Sequence, residues 1–209
     1  MKEYSHVFEP TLEDLKDGFF LKGKWGEEFF HNNNPIILEL GCGMGEYSVG
    51  LAEKNPDNNY IGIDIKGARM WQGATTSINM GMKNIGFLRI RIEWIEYCFS
   101  AREIDEIWIT FPDPQLKKSR QDKRLTHPTF LDRYKKIVKN STIIHLKTDS
   151  QFLHGFTLGV IESKGYKLLD STNDLYSQSI QRENVEIKTH YEKKFLKEGL
   201  PITYLSFIL

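Results

Sequence analysis

The chain has 209 residues, 40% hydrophobic and 27% charged, a composition that fits one globular domain with a sizeable core and excludes a disordered chain. Its 28 basic and 28 acidic side chains cancel, so any affinity for nucleic acid must come from a local basic face and not from the whole-molecule field. The two cysteines, Cys42 and Cys98, exclude a disulfide scaffold and fit a reduced compartment.

Residues 1–34 are polar and aromatic without a clean period, which predicts an irregular or partly helical arm ahead of a domain over 35–209. Pro35 opens the apolar run Ile36-Ile37-Leu38-Glu39-Leu40, a buried-strand pattern that stops at Gly41. A helix is predicted over 47–55, a second strand over 59–65 and a second helix over 67–80. A third strand follows over 87–92, then a short helix near 94–101 and a fourth strand over 104–111. Phe130, Leu131, Tyr134, Ile137 and Val138 share one helical face within 128–139. A fifth strand over 141–147, a helix over 152–163, a strand over 166–169 and a last strand over 202–209 complete the pattern. Residues 173–188 are polar with weak periodicity and read as a loop or mobile excursion. Strands that alternate with helices imply an α/β fold, a mostly parallel sheet with helices on both faces.

Three features carry chemistry. Gly41-Cys42-Gly43-Met44-Gly45 joins the first strand to a helix, where an open α/β sheet binds its ligand. The spacing is not that of a dinucleotide fingerprint, and Glu46 would oppose a pyrophosphate. Glu39, two residues before the first glycine, suits a cationic ligand, and Asp64 ends the second strand where a carboxylate can bind ribose hydroxyls. S-adenosylmethionine, with an ammonium and a sulfonium, fits that combination; the plainer reading is a tight strand-to-helix turn. Phe111-Pro112-Asp113-Pro114 then presents one carboxylate in a turn stiffened by two prolines. Beside it, Lys117, Lys118, Arg120, Lys123 and Arg124 stand against Asp122 alone, a basic run suited to phosphate contact or to plain solvation.

With these segments in place the sequence strongly resembles the tRNA (guanine-N7-)-methyltransferase family (TrmB type) from about Pro35 to Leu209. The matching segments are Glu39 through Gly45, Gly62-Ile63-Asp64, Phe111 through Pro114, Lys117 through Arg124, Thr148-Asp149, and Thr189-His190-Tyr191-Glu192. The resemblance implies a Rossmann-like class I fold and S-adenosylmethionine held by Glu39, Asp64, Glu93 and Asp113, with Gly41 and Gly43 in the donor loop. It makes Asp113 the active-site carboxylate. It brings Lys117, Asp149, Thr189, His190, Tyr191 and Glu192 to the guanine nucleotide, and Ser119, Arg120, Gln121, Asp122, Lys123 and Arg124 onto the RNA path. The chain departs from the family pattern at Gln115, where Trp is usual, at Glu93, where Asp is usual, and at Asp64, where Glu is usual.

Guanine N7 is an exposed lone pair with no proton to lose, so the expected task is alignment of N7, methyl carbon and sulfur, and Asp113 is expected to orient and not to act as a general base. The expected partner is tRNA, bound by a monomer or homodimer in the cytoplasm. No apolar run is long enough to cross a bilayer, and Met1-Lys2-Glu3-Tyr4-Ser5-His6 lacks a signal-peptide core. The six histidines do not pair at metal-ligand spacing, so no metal is expected. Two other readings are a methyltransferase acting on a small molecule or exocyclic amine, and a non-catalytic RNA-binding protein of the same fold.

Overall fold

The computed structural model describes residues 4–177 and 182–209. In chain order they form β1 (Val7–Phe8), α1 (Leu12–Gly18), a π-helical turn at Trp25–Phe30, β2 (Ile36–Leu40), α2 (Glu46–Lys54), β3 (Asn59–Asp64) and α3 (Gly67–Asn79). Then come β4 (Ile85–Arg89), a 3-10 turn at Ile92–Trp94, α4 (Ile95–Cys98), β5 (Ile104–Thr110), a 3-10 turn at Lys118–Lys123 and α5 (Pro128–Tyr134). The chain closes with β6 (Val138–Thr148), α6 (Gln151–Lys164), β7 (Lys167–Thr172), α7 (His190–Lys197) and β8 (Thr203–Ile208).

One sheet takes all eight strands in the order β1-β4-β3-β2-β5-β6-β8-β7. The pairs from β1 through β6 are parallel, and β8 runs antiparallel to both β6 and β7. Every residue of β2 is buried, which is why its sequence is nearly all apolar and does not alternate. The pleat sends Leu38, Leu40, Ile61 and Ile107 to one face, against Leu131 and Tyr134. Ile37, Tyr60 and Trp108 go to the other, against Tyr47, Leu51 and Met70. The strand order reverses at β2, which has β3 on one side and β5 on the other, and that opens a crevice at their C-terminal ends.

Residues 4–34 are partly helical, as the sequence suggests, but they pack onto the sheet and do not stand off as an arm. Thr11 and Asp14 form a reciprocal capping box that starts α1. Leu15, Phe19, Leu21, Trp25 and Phe30 are all buried in the core of the main sheet. Trp25 donates from Nε1 to the Cys98 carbonyl at 3.0 Å and stacks on Phe99. These aromatics show no period because turns, and not one helix face, carry them inward. Other boundaries move by a few residues. Strand β4 begins at Ile85 and not at 87, and α5 ends at Tyr134, so Ile137 and Val138 are buried by a turn that leads into a longer β6.

The expected excursion over 173–188 includes residues 178–181, which lie outside the described residues. Its described flanks pack down: Leu175 donates to the Ile202 carbonyl at 2.7 Å, and Leu175 and Val185 are buried. Among the described residues no helix is long and apolar enough to cross a membrane.

Candidate active site

The glycine loop sits at the crevice because three of its residues adopt left-handed backbone: Gly41 (φ 79°), Gly43 (φ 54°) and Gly45 (φ 73°). At Gly45 space is the second constraint. A Cβ there would lie 2.8 Å from the Phe87 ring and 3.1 Å from the Cα of Gly73 on α3. Gly73 faces the loop reciprocally, with a Cβ position 2.8 Å from the Met44 carbonyl. Only two facing glycines let loop and helix approach this closely.

Glu39 is buried under that loop. Its Oε2 accepts from the Ser48 amide at 2.8 Å and the Ser48 hydroxyl at 2.5 Å, and its Oε1 accepts from Thr110 at 2.6 Å. Burial outweighs these hydrogen bonds and raises its pKa to about 7. A carboxylate in that state gains most from a cationic partner. Asp64 is fixed differently, by backbone amides: Oδ2 accepts from Gly43 at 2.9 Å and Oδ1 from Lys66 at 2.8 Å. Each oxygen keeps a lone pair for a hydroxyl donor. Cys42 lies between these acids. Burial first, then Glu39 and Asp64, push its thiol well above the ordinary range, so it is a space-filler and not a nucleophile.

Asp113 stands on a turn bracketed by two non-glycine residues in the left-handed region, Phe111 (φ 47°) and Gln115 (φ 45°). Its Oδ1 accepts from the Gln115 amide at 2.9 Å, which leaves Oδ2 for other partners. The Phe111 amide donates to the Lys147 carbonyl at 2.8 Å and so extends the β5–β6 pairing into the turn.

Thr189 caps α7, accepting from the Glu192 amide at 3.2 Å. The Glu46 carboxylate, on the first residue of α2, accepts from the His190 amide at 2.8 Å and ties this helix start to the glycine loop. Tyr191, Phe195 and Phe111 form a row with ring centroids 6.5 and 6.0 Å apart.

These elements enclose a cavity of about 470 Å³. Glu39, Gly41, Gly43, Asp64, Glu93, Asp113, Lys123, Thr189 and Tyr191 all line it, so the structure brings together nine of the expected site residues. Of the basic run only Lys123 reaches the wall. Lys117, Ser119, Arg120, Gln121 and Asp122 are exposed nearby, and His190 is exposed, with its amide on Glu46 and its ring edge-on to Tyr191. Asp149, half-buried after β6, does not reach the cavity. The wall also holds Glu46, Lys66, Arg69, Arg91 and Thr110, none of which the sequence singles out as ligands. Glu46 and Thr110 were within reach of sequence reasoning, because each directly adjoins a motif that was read.

Two expectations are corrected. Glu192, expected at the guanine, is fully buried: its Oε2 lies 2.9 Å from Lys147 Nζ, and its Oε1 accepts from the Tyr176 hydroxyl at 2.5 Å. Lys147 is equally buried and also donates to the carbonyls of Val185 (2.5 Å) and Ile187 (3.0 Å). Glu192 therefore completes the charge balance of a buried lysine that anchors the segment leading into α7. Arg124, expected on the RNA path, is only 4% exposed, with its guanidinium over the rings of Phe152 and Phe156. Charge and position put it beside Lys123 in sequence, but the aromatic side chains of α6 draw it inward.

The chemistry of the lining matches a donor bearing positive charge and a ribose. A buried carboxylate faces the cavity, a second carboxylate is fixed by amides, and a glycine cradle closes around a volume suited to a small cofactor. Comparison with known proteins agrees. A family described as putative methyltransferase matches residues 33–205. The tRNA (guanine-N(7)-)-methyltransferase of Christiangramia forsetii is 52% identical over 208 residues, covering 99% of this chain and 93% of the relative. That of Bacteroides fragilis is 50% identical over 210 residues, covering 100% of this chain and 82% of the relative. Among solved structures, the 16S rRNA methyltransferase KamB superposes with a TM-score of 0.66 at 13% identity, covering 88% of this chain and 91% of that one. A SAM-dependent methyltransferase from Aquifex aeolicus gives 0.58 at 12% identity, covering 83% and 81%. At those identities the likeness establishes the fold.

Proposed function

The chain belongs to the tRNA (guanine-N(7)-)-methyltransferase family, and from that premise we propose that it methylates guanine N7 of tRNA, at the variable-loop position, in the cytoplasm. The observation that carries this reading is the cavity itself: an acidic floor made by Glu39, Asp64 and Asp113, with Lys66, Arg69 and Lys123 at its wall. S-adenosylmethionine supplies an activated methyl group on a sulfonium. The chain's own residues then bind, align and balance charge. Glu39 holds the donor's ammonium, Asp64 its ribose hydroxyls, and Glu93 the adenine end.

The acceptor side works by position. N7 attacks without deprotonation, so no group needs to take a proton in the transfer step. Asp113 orients the base or donor through its free oxygen, and its negative charge favours the cationic guanine that forms. Tyr191 offers a ring against which the base can lie, in place of the tryptophan absent at Gln115. The exposed cations Lys117, Lys118, Arg120 and Lys123 contact phosphates and fix the register of the RNA without reading its sequence. Because N7 lies in the deep groove of an A-form helix, the base must be partly opened from the tRNA core.

The test is transfer of label from S-adenosylmethionine to unmodified tRNA, followed by chain cleavage at N7-methylguanine. Cleavage at one variable-loop guanine supports the proposal. Label that appears as N1- or N2-methylguanine, or not at all, overturns it.

A further inference from the structure

We infer that Arg124 is a positioning residue for Asp113 and not a phosphate contact; this rests on the proposed methyl transfer. Lys123 and Arg124 are neighbours of equal charge with opposite surroundings. Lys123 is exposed and borders the cavity, whereas Arg124 is buried. The Arg124 guanidinium lies 4.8 Å from the Phe152 ring centroid and 4.4 Å from that of Phe156. Its Nε donates to the carbonyls of Pro114 (3.2 Å) and Gln115 (3.3 Å), and Nη2 donates to Gln115 at 3.0 Å. Those carbonyls belong to the turn that carries Asp113.

The turn needs such a brace. Gln115 holds a left-handed backbone (φ 45°) that an L-residue adopts only under constraint, and Asp113 Oδ1 is tied to that same residue's amide. Arg124 grips the Gln115 carbonyl while Asp113 grips its amide, so the carboxylate direction and the strained peptide are set together. A planar fork that spans two carbonyls and lies over two rings is a property of arginine and not of lysine. Arg124→Lys therefore keeps the charge and removes the grip.

The test compares Arg124→Lys, Arg124→Gln and Lys123→Ala in the full chain, reading kcat, tRNA Kd and the salt dependence of tRNA binding. Positioning predicts that both Arg124 variants lose kcat by on the order of tenfold to a hundredfold. Their tRNA Kd and salt slope stay those of the wild type. Lys123→Ala instead raises Kd and reduces the slope by about one. Adding Gln115→Gly to Arg124→Gln recovers part of the lost kcat, because glycine holds a positive φ without help. If Arg124→Gln does not fold, Arg124→Lys and its pairing with Gln115→Gly carry the same comparison. Wild-type kcat in Arg124→Lys, a flattened salt slope in Arg124→Gln, or strict additivity with Gln115→Gly overturns the inference. A wild-type protein that makes no N7-methylguanine overturns the proposed function instead, and the salt slopes still decide whether Arg124 meets phosphate.

Discussion

The donor half and the acceptor half of the site are built on different principles. Glu39 and Asp64 sit at the ends of central strands, held by hydrogen bonds of 2.5–2.9 Å from Ser48, Thr110, Gly43 and Lys66. Their positions are set by the protein's own hydrogen bonds. The acceptor half stands on turns beyond the sheet: the Asp113 turn, the 3-10 run at Lys118–Lys123 and the start of α7. Its order comes from two buried cations, Arg124 beneath the turn and Lys147 beneath α7, while the exposed lysines stay free for RNA. A small donor suits a cradle fixed by the sheet and its loop. A large RNA suits a surface whose few fixed points are braced from below.

Four variants sharpen that contrast. The largest effect is expected at Lys147. Lys147→Met leaves Glu192 charged and buried without its partner and releases the Val185 and Ile187 carbonyls. Denaturant unfolding should show a loss of about 3–5 kcal/mol. A loss under about 1 kcal/mol would mean that the pair does not anchor the segment. Next comes Asp113→Ala. Transfer should fall by about a hundredfold or more, while stability changes by less than about 1 kcal/mol because the side chain is exposed. Retained activity removes Asp113 from the mechanism.

Glu39 gives a pH signature. Its pKa, raised to about 7 by burial, means that the donor-free fold favours the protonated form. That contribution to stability is present below the ordinary glutamate value of 4.5 and is lost as the pH rises through about 7. Cation binding runs the other way, since it needs the ionised form. Donor affinity measured by calorimetry should rise with pH until about 7 and then level off. In Glu39→Gln it should be weaker by roughly tenfold and flat with pH. A pH-independent wild type would break the assignment of Glu39 to the ammonium. The smallest effect is expected at the rim: Lys118→Ala with Arg120→Ala should lower the salt slope of tRNA binding by about two and leave donor binding unchanged, since neither residue lines the cavity. An unchanged slope would place the RNA elsewhere.

The donor half was legible in sequence because its signals are local. A buried strand, three glycines and a strand-end carboxylate lie within 26 residues of one another, from Glu39 to Asp64, although Thr110, Gly73 and Phe87 from outside that span complete their geometry. The acceptor half was legible only as charge and motif. Nothing local separates Lys123 from Arg124; the difference is made by Phe152 and Phe156 on α6, far along the chain. The resemblance brings Glu192 to the guanine nucleotide. The Thr189 cap is present, but a lysine on β6 takes the carboxylate. The packing of residues 4–34 is hidden for a similar reason, since their aromatics are buried against one another and against Phe99 at the end of α4. Burial by partners distant in sequence leaves no period to read.

The claim that transfer goes to a lone pair aligned by the protein, with no base involved, is tested most directly with a tRNA transcript that carries 7-deazaguanosine in place of guanosine. That substitution replaces N7 by a C–H and leaves the pairing edge intact. The account predicts that the transcript binds as tightly as the ordinary one and accepts no methyl group. Label in the 7-deaza transcript would show that another atom is the acceptor and would contradict the account.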